Sequence, residues 1–548
     1  MIKRLILLII LLCLIPISAL ASDCGDENDT TWCVPLSNDF IDIDGSTFCD
    51  GPCVGGVDTI TVEGGTKTGG NYEFKNFDGD GDYVVIQNSD SERVILNGNS
   101  SYGTVFFRDC SYIDFRGDNL AGTTYGFYVS NSSGISCAVR IFGTADHIKI
   151  SYVEATNSFF FNDSSKTETT IWSDIEVSYF YIHNTPTEGM YMGASNIGDN
   201  FDFDTINIHD GRIENSGWDG LQLAHAKFGS NSIYNMTIIN SGILEELQQG
   251  KGIIINPEMD GVEIYNCYIK NSWEQGLYLY VDSANINVHD NVFYNVGTQP
   301  NSGIKNESYG NSNIIINNTI VGAGTDGISS NSEQADIQYN LIVASGSNDC
   351  NSSAVGADDC AGTYNNDSYA TIAEVYFTDY LNDDFTLTYQ SPVINNSDDT
   401  AGYSVLDFNG DTRPYGDTDA DPGAYEFTFK IVNMTPIQGA EGQNLEVDAN
   451  WNNPETTTAN TILLDKKADH DPPTTEIHPV GDGAVETHDL GTLDVNTEYV
   501  ILNNLTHADG TETGTKYYFT TTGGPPITSS EMTKMVIDPG GGRIIIGQ

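Results

Sequence analysis

The chain contains an internal repeat between Val177 and Val343, and this repeat restricts its possible folds more than any other feature. Each unit has an apolar anchor residue, and successive anchors lie 22 to 31 residues apart. In six units a second apolar residue follows five positions later, and in five of them an Asn comes two positions after that. A Gly then opens a short apolar run in each of these six units. The anchors are Val177, Ile208, Ile233, Ile264, Val288, Ile315 and Ile337, and the glycines are Gly189, Gly220, Gly252, Gly276, Gly303 and Gly327.

Each unit holds three short β-rich runs separated by Asn, Asp, Ser and Gly, with no helical periodicity long enough for a helix. Units of this length bury an apolar face only by stacking, which indicates a solenoid with one three-stranded coil per unit. The repeat resembles that of the secreted right-handed parallel β-helix proteins, the architecture of pectate lyases, polygalacturonases and phage tailspikes. This resemblance implies an all-β, right-handed parallel β-helix. The fold alone does not imply a reaction.

The first 21 residues have the pattern of a cleaved secretory signal. Lys3 and Arg4 precede an apolar run, and the small residues Ala19 and Ala21 stand just before Ser22. No later run reaches the roughly 18 apolar residues that a membrane span needs. We therefore expect a protein without a membrane span that is secreted or held at the cell surface.

The mature chain is expected to be strongly acidic. Without Lys3 and Arg4 it has 20 basic against 77 acidic side chains. This charge argues against nucleic acid or anionic membranes as partners. It also makes an anionic polysaccharide an awkward substrate unless cations intervene.

Nine cysteines remain after removal of the signal, and their spacing indicates four disulfides in an oxidising, exported location. Three pairs are close in sequence, and the fourth lies about one coil apart. Cys267 is left over and is expected to be buried in a coil. The expected pairs are Cys24–Cys33, Cys49–Cys53, Cys350–Cys360 and Cys110–Cys137.

Changes in composition indicate four regions after the signal. Residues 22–82 are expected to form an N-terminal cap, and residues 83–428 the β-helix with a closing segment at its C-terminal end. Residues 430–522 resemble a small fibronectin type III β-sandwich, because Leu493, Thr497 and Tyr499 match its Leu-x-x-x-Thr-x-Tyr corner. Residues 523–548 are interpreted as a flexible tail.

The closing segment contains a cluster of side-chain oxygens of the kind that calcium prefers. The same residue types also suit structural turns, so both interpretations stay open. Calcium is the one cofactor that the sequence indicates. The cluster consists of Asp407, Asn409, Asp411, Asp417, Asp419 and Asp421.

The glycine-led strands are the predicted binding surface. In four units the Gly lies twelve residues after the anchor, but the gap is 19 after Ile233 and 15 after Val288, so insertions fall just before this strand. Insertions on one side of a solenoid usually build its binding face. Because side chains alternate across a strand, the second residue after each Gly is expected to point outward. The residue before each Gly is also expected to face outward. The outward residues after Gly are Tyr191, Gln222, Ile254, Tyr278, Lys305 and Ser329, and those before it are Glu188, Asp219, Lys251, Gln275, Ser302 and Asp326.

Aromatic rings beside amides and charges on an elongated sheet are typical of sugar-chain recognition. The rings cover the apolar faces of pyranoses, and the polar groups fix the hydroxyls. The competing interpretation is an exposed β-face whose aromatic residues merely suit strands. The expected substrate-binding residues are Tyr191, Trp218, Gln222, Trp273, Tyr278, Tyr280 and Lys305.

Two catalytic schemes fit the residues before the glycines. Glu188 and Asp219, on adjacent rungs, suit glycoside hydrolysis, one as the acid and the other as base or nucleophile. Alternatively, Lys251 abstracts a proton beside a uronate carboxylate that calcium or Lys305 neutralises, as in β-helix polysaccharide lyases. His225, beyond the same strand, suits either scheme.

The sequence thus predicts a secreted carbohydrate-active protein that binds an extracellular polysaccharide and cleaves it, as a lyase or a glycoside hydrolase. The alternative is a non-catalytic surface or adhesion protein. The polygalacturonase-like Gly324-Thr-Asp-Gly327 is interpreted as a turn, because the further motifs of that family are absent.

Overall fold

The computed structural model describes residues 59–427, with gaps at 80, 135–136, 163–169, 195–200, 309–311, 332–334, 348, 353–365, 389, 398–404 and 414–418. It also describes residues 31–34 and 41–45 and eight strands between 444 and 547. The predicted signal peptide lies outside the described residues. Among the described residues, no helix has the length and apolar character that a membrane crossing requires.

Short strands make up almost all of the described structure, with two 3-10 helices at Ile372–Glu374 and Tyr380–Asn382. In chain order the strands of the coils are β1 (Thr31–Val34), β2 (Ile41–Asp44), β3 (Thr59–Val62), β4 (Gly65–Thr68), β5 (Tyr72–Lys75), β6 (Val84–Asn88), β7 (Val94–Gly98), β8 (Val105–Arg116), β9 (Phe127–Asn131), β10 (Val139–Ser151), β11 (Val153–Ala155), β12 (Phe159–Phe161), β13 (Thr170–Ser178), β14 (Tyr181–Thr185), β15 (Met190–Met192), β16 (Phe201–His209), β17 (Arg212–Ser216), β18 (Leu221–Leu223), β19 (Ala226–Phe228), β20 (Asn231–Tyr234), β21 (Thr237–Ser241), β22 (Ile253–Ile255), β23 (Val262–Tyr265), β24 (Tyr268–Lys270), β25 (Leu277–Leu279), β26 (Asn287–His289), β27 (Val292–Tyr294), β28 (Ile304–Asn306), β29 (Ile314–Ile316), β30 (Thr319–Val321), β31 (Ile328–Ser330), β32 (Asp336–Gln338), β33 (Leu341–Val343), β34 (Cys350–Ser352) and β35 (Asp367–Tyr369).

The remaining strands follow the coils. A short antiparallel pair is formed by β36 (Phe377–Asp379) and β37 (Asp384–Leu387). The last eight strands are β38 (Asn444–Asp448), β39 (Thr457–Lys466), β40 (Glu476–Val480), β41 (Thr487–His488), β42 (Glu498–His507), β43 (Glu512–Thr520), β44 (Lys534–Asp538) and β45 (Arg543–Gly547).

The coils form three faces, each of which consists of parallel strands. The glycine face consists of β2, β5, the first halves of β8 and β10, β12, β15, β18, β22, β25, β28, β31 and β34. The anchor face consists of β1, β3, β6, the second halves of β8 and β10, β13, β16, β20, β23, β26, β29 and β32. The third face is a 12-stranded sheet that runs from β4 to β35. The predicted all-β parallel solenoid is confirmed, and a right-handed coil is the expected sense of such parallel crossovers.

The core is a stack of apolar residues in the predicted register. On the anchor face Val177 pairs with Ile208, which pairs with Ile233, and on the third face Ile182 pairs with Ile213. On the glycine face Leu221 pairs with Ile253, which pairs with Leu277. These core side chains are fully buried, so each coil gains its hydrophobic contacts from its neighbours.

The repeated Gly is required by close packing. A Cβ on Gly252 would lie 2.4 Å from Ile269 Cγ2 and 2.5 Å from the carbonyl oxygen of Gly276. A Cβ on Gly220 would lie 2.5 Å from Ile238 Cγ2 and 2.5 Å from the carbonyl oxygen of Gly252, the equivalent atoms of its own neighbours. Any side chain at these positions would therefore push apart the glycine face and the third face.

The repeated Asn forms a hydrogen-bonded ladder at one corner. Asn240 Nδ2 donates to Asn215 Oδ1 at 2.9 Å, and Asn271 Nδ2 donates to Asn240 Oδ1 at 3.0 Å. Each has a positive φ, 59° at Asn240, a conformation that Asn tolerates better than most residues. The ladder continues at both ends, from Asn184 to Asn295.

The chain divides into two compact units. The C-terminal unit contains residues 361–548 together with the short segments Ile316–Thr319 and Gln338–Ala344. In this unit the strands after residue 444 form two four-stranded antiparallel sheets, ordered β38-β45-β44-β41 and β40-β39-β42-β43. Of the residues on which the fibronectin resemblance is based, Tyr499 lies in β42, and Leu493 and Thr497 lie outside the described residues. The sandwich itself stays a prediction.

Two boundaries differ from the sequence interpretation. Strands β1 to β5 fall within the segment expected to be a cap, yet they pair in parallel register with the coils that follow. These first coils lack the five-residue spacing of the later repeats, so the repeat pattern does not indicate them. At the other end, β44 and β45 fall within the segment interpreted as a flexible tail.

The expected Cys110–Cys137 disulfide is wrong. Both cysteines are buried and free. Cys110 lies opposite Ala145 in the next coil, eight residues beyond Cys137, so the two side chains are too far apart to bond. Cys267 is also free and fully buried, as expected. Cys350 is disulfide-bonded, but Cys24, Cys49, Cys53, Cys360 and the side chain of Cys33 lie outside the described residues, so these pairings stay predictions.

Candidate functional site

The outward residues of the glycine face form one column in register. Tyr191 pairs with Gln222, Gln222 with Ile254, Ile254 with Tyr278, and Tyr278 with Lys305. Adjacent rungs of a parallel sheet are about 4.8 Å apart, and these five side chains lie on five successive rungs. The predicted alternation therefore places them in a single file.

The centre of this column is more buried than expected. Gln222, Ile254 and Tyr278 are only 5 to 8 % exposed. Tyr191 and Lys305 keep more of their surface. Substrate contact is therefore expected at the two ends of the column more than at its middle.

A buried ionic cluster lies beside the column. Lys251 Nζ contacts Glu274 Oε2 at 2.6 Å, donates to the Gln248 carbonyl at 2.6 Å, and lies 3.8 Å from Asp219 Oδ1. Asp219 Oδ1 also accepts the backbone N–H groups of Gly250 and Lys251, each at 2.7 Å. Burial raises the pKa of Asp219 above its ordinary value. The charged groups of Asp219 and Lys251 are therefore already bonded to other residues of the protein.

The cluster fixes the largest insertion, the loop at residues 242–250. Its two ends meet at Gly242 and Gly250, which pack against Trp273, and Gln248 N–H donates to Glu274 Oε1 at 2.9 Å. The loop exposes apolar side chains on its outer side, namely Ile243, Leu244 and Leu247. Asp219 and Lys251, which the sequence assigned to catalysis, thus hold this loop in place.

Glu188 is the predicted site residue best suited to proton transfer. It precedes Gly189, is 8 % exposed, and has no ion pair among the described residues. Burial raises the pKa of Glu188 to about 7, and the charge of Asp219 adds to the increase. A carboxyl group with this pKa is partly protonated at neutral pH, as a general acid requires.

A second group of polar residues lies at the other end of the column. The Tyr278 hydroxyl donates to Glu307, and Lys305 forms an ion pair with the same carboxylate. Burial and the hydrogen bond to Glu307 raise the pKa of Tyr278 well above its ordinary value. Burial opposes ionisation of Glu307, but its bonds to Lys305 and Tyr278 outweigh this and lower its pKa. Tyr278 is buried, whereas Lys305 and Glu307 are partly exposed.

His225 is not part of either arrangement. It is fully buried six residues beyond Asp219, past the far end of β18, where its Nδ1 lies 3.5 Å from both Asp202 Oδ1 and Glu258 Oε2. The ligand atoms of these three residues lie within 4.8 Å of one another, a spacing that a metal ion would accept. Lys227 Nζ, however, contacts the same carboxylates at 2.8 and 2.6 Å and balances their charge. A cation would have to displace it.

The acidic cluster of the closing segment has the geometry of turns. Asp407 Oδ1 accepts the N–H groups of Asn409 and Asp411, and its Oδ2 accepts that of Glu426. Asp421 accepts two further backbone N–H groups. These donors occupy acceptor positions that calcium would need, so the geometry favours the turn interpretation. Asp417 lies outside the described residues, and Asp419 is not hydrogen-bonded to the others.

The remaining predicted binding residues flank the column. Trp218 and Trp273 are half-buried beside the loop, and the Trp218 indole N–H is buried without a hydrogen-bond partner. Tyr280 packs edge-on against Tyr278, with ring centroids 5.6 Å apart. Four residues of this face were missed. Glu274 and Glu307 are the partners of Lys251 and Lys305, and the alternation of β10 and β12 would have found Arg140 and Phe160.

No family model matches the chain, and no curated protein matches its sequence. Among solved structures, the chain is similar to the GH136 lacto-N-biosidase from Eubacterium ramulus, with 11 % identity, a TM-score of 0.38, and coverage of 57 % of this chain and 61 % of that one. It is also similar to pectate lyase Pel9A, with 15 % identity, a TM-score of 0.37, and coverage of 73 % and 96 %. Tailspike protein 2 from Escherichia coli O157:H7 bacteriophage CAB120 has 11 % identity, a TM-score of 0.35, and coverage of 93 % and 68 %. The chain thus spans about three fifths of the lacto-N-biosidase, and its fold assignment depends on the strand pairing described above.

Proposed function

We propose that the protein is secreted or held at the cell surface, binds an extracellular polysaccharide along the glycine face, and cleaves it next to Glu188. The observation that carries this proposal is a single in-register column of aromatic, amide and charged side chains beside a carboxyl group whose pKa is raised to about 7. An elongated ligand with alternating apolar faces and hydroxyls matches such a column.

In the proposed reaction Glu188 is the general acid. Its carboxyl group donates a proton to the leaving glycosidic oxygen as the bond from that oxygen to the anomeric carbon breaks, which is the role that a buried carboxyl of raised pKa performs in glycoside hydrolysis. A water molecule forms the new bond to the anomeric carbon and releases its proton to solvent, which restores the protonated carboxyl group of Glu188. Asp219 has the role of a positioning residue, because its charge raises the pKa of Glu188 and its Oδ1 holds the loop. Lys251 is less suited to act as a base, since its ammonium group already contacts Glu274 and Gln248.

The test is an assay of the full chain against a panel of plant and algal polysaccharides. New reducing ends would indicate hydrolysis, and a rise in absorbance near ~235 nm would indicate β-elimination. Glu188→Gln should abolish turnover while the exposed Glu92→Gln, far from the column, should not. Full activity of the Glu188→Gln variant would contradict the assignment of the acid.

The second candidate is a non-catalytic binding or adhesion protein. The observation in its favour is that Asp219 and Lys251, two of the predicted catalytic residues, are engaged in holding the 242–250 loop. Binding to a polysaccharide of the panel without any product in either assay would favour this candidate.

A further inference from the structure

Toward the N terminus the glycine face continues into a pocket. The same outward column runs from Tyr191 back through Phe160, Arg140 and Phe106 to Glu73, each in register with the next. A cavity of about 320 Å³ lies over these rungs. It is lined by Asn71, Glu73, Tyr102, Phe106, Arg108, Arg140 and Phe142. The pocket is therefore collinear with the proposed sugar-binding surface.

Arg140 stands out among the described arginines because no described carboxylate forms an ion pair with it. The structure describes six arginine side chains, and the other five each form an ion pair with Asp or Glu. The chain has 77 acidic residues against 22 basic ones, so partners are abundant. Within the described part of the chain, Arg140 alone of these six keeps its charge uncompensated by an ion pair.

Aromatic rings hold the Arg140 guanidinium in place. Its Cζ lies 5.3 Å from the ring centroid of Phe142 and 5.5 Å from that of Phe160. The buried Nε has no hydrogen-bond partner. A guanidinium held against ring faces keeps its N–H edge for a planar or tetrahedral anion, which it contacts with two parallel hydrogen bonds.

The other charges in the pocket cancel. Arg108 pairs with Glu73, and its Cζ lies 5.6 Å from the Phe142 ring. The pocket thus has one excess positive charge on a protein whose net charge is −55. The exposed Tyr102 provides apolar surface beside this charge, and the largely buried Phe106 ring forms part of the pocket wall.

We propose that this pocket binds an acidic sugar residue, with Arg140 gripping its anionic group and the aromatic rings contacting its pyranose ring. The inference rests on the proposed function, because it extends the same surface by a subsite that selects chains with carboxylate or sulfate groups. Arg140 is two rungs from Tyr191, about 10 Å along the coil axis, which places the subsite a few sugar residues from Glu188.

Calorimetric titration of the full chain tests the proposal. The probes are trigalacturonate and trimannuronate, their carboxyl-reduced neutral counterparts, and a sulfated galactan trisaccharide, all in the presence of EDTA so that no calcium bridges the anions. The wild-type protein should bind an acidic probe at least about tenfold more tightly than its neutral counterpart, and added salt should reduce this preference. The carboxylate and sulfate arms identify which anion the pocket takes.

Two variants and one control locate the effect. Arg140→Gln should remove the preference, and Arg140→Lys should keep only part of it, because lysine lacks the two-pronged donor geometry. Arg212→Gln, at an exposed arginine on the third face, should bind like the wild type. Thermal melting verifies that each variant is folded. If Arg140→Gln does not fold, the comparison of the preference for acidic probes between the wild type and Arg140→Lys tests the proposal.

Equal binding of acidic and neutral probes by the wild type would overturn the proposal, and so would an unchanged preference in the Arg140 variants. The proposed cleavage can fail separately. An Arg140-dependent preference without any product on the polysaccharide panel would leave the subsite standing and refute the cleavage. Cleavage of a polysaccharide with no Arg140-dependent preference would do the reverse.

Discussion

The pKa of an ionisable side chain in the coils depends on its burial and on the charged groups that contact it. Glu188 is forced into a buried position beside a second carboxylate, so its neutral form is favoured. His289 is in the opposite situation. It stacks on Tyr265 and contacts Asp290 and Glu263 at 2.7 and 3.0 Å, which favours its charged form.

We predict that turnover depends on protonated Glu188. Activity should be high below pH 7 and fall as the pH rises through about 7, the pKa of Glu188. Asp219→Asn keeps an acceptor for the loop N–H groups but removes the negative charge, so the falling limb should shift to lower pH. A limb that stays in place in this variant, measured as kcat/KM against pH, would contradict the coupling of the two carboxyls.

We also predict a pH-dependent contribution of His289 to stability. Burial alone would lower the pKa of His289, but its bonds to Asp290 and Glu263 outweigh this and raise it to about 9. Because the folded pKa exceeds the unfolded value of roughly 6.5, the stabilisation is complete below pH 6.5 and is lost as the pH rises through 9. The expected difference between wild type and His289→Gln is on the order of 2–3 kcal/mol at pH 6 and shrinks by pH 9.5. Urea denaturation at both pH values measures it, and a difference independent of pH would refute the prediction.

At the scale of elements, the repeated corners and strands explain the sequence pattern. The repeated Asn of five units forms the ladder at a left-handed corner, and in five units, from Gly189 to Gly303, the Gly lies where a Cβ would collide with the third face. Both are consequences of stacking one coil on the next. A change at one rung is therefore felt by the rungs on either side.

Substitution of Asn240 tests the ladder. Asn240→Ala removes two ladder hydrogen bonds and puts Ala at a φ of 59°, so we expect a loss of roughly 2–4 kcal/mol in the free energy of unfolding. Asn240→Gly loses the same bonds without the left-handed strain and should be about 1 kcal/mol less destabilised. Denaturant titration of the two variants decides, and wild-type stability of Asn240→Ala would exclude a stabilising ladder.

The elements that follow the repeat were predictable, and those that depart from it were not. The spacing of Val177, Ile208 and Ile233 gave the correct register on the anchor face. The N-terminal coils escaped recognition because Tyr72 and Val105 pair across strands that have no regular spacing. Side-chain pairing inside the site was also out of reach, because nothing in the sequence indicates that Lys251 would contact Glu274.

At the scale of the whole chain, the coils combine a strong negative charge with one continuous aromatic and polar column. Its centre, which includes Tyr278, is buried, its C-terminal end has Lys305 and Glu307, and its N-terminal end has the Arg140 pocket. The proposed ligand, a long sugar chain, would contact both ends at once. The alternation of side chains predicts the column from sequence. The pocket could be recognised only from the structure, because it shows that the other five described arginines form ion pairs and Arg140 does not.

A crystal structure of the Glu188→Gln variant with an acidic oligosaccharide bound tests the central claim most directly. The account predicts sugar residues along the glycine face, with the anionic group of one residue within hydrogen-bond distance of Arg140 and a glycosidic oxygen beside residue 188. Sugar bound instead to the anchor face or the third face, with the glycine face empty, would contradict it.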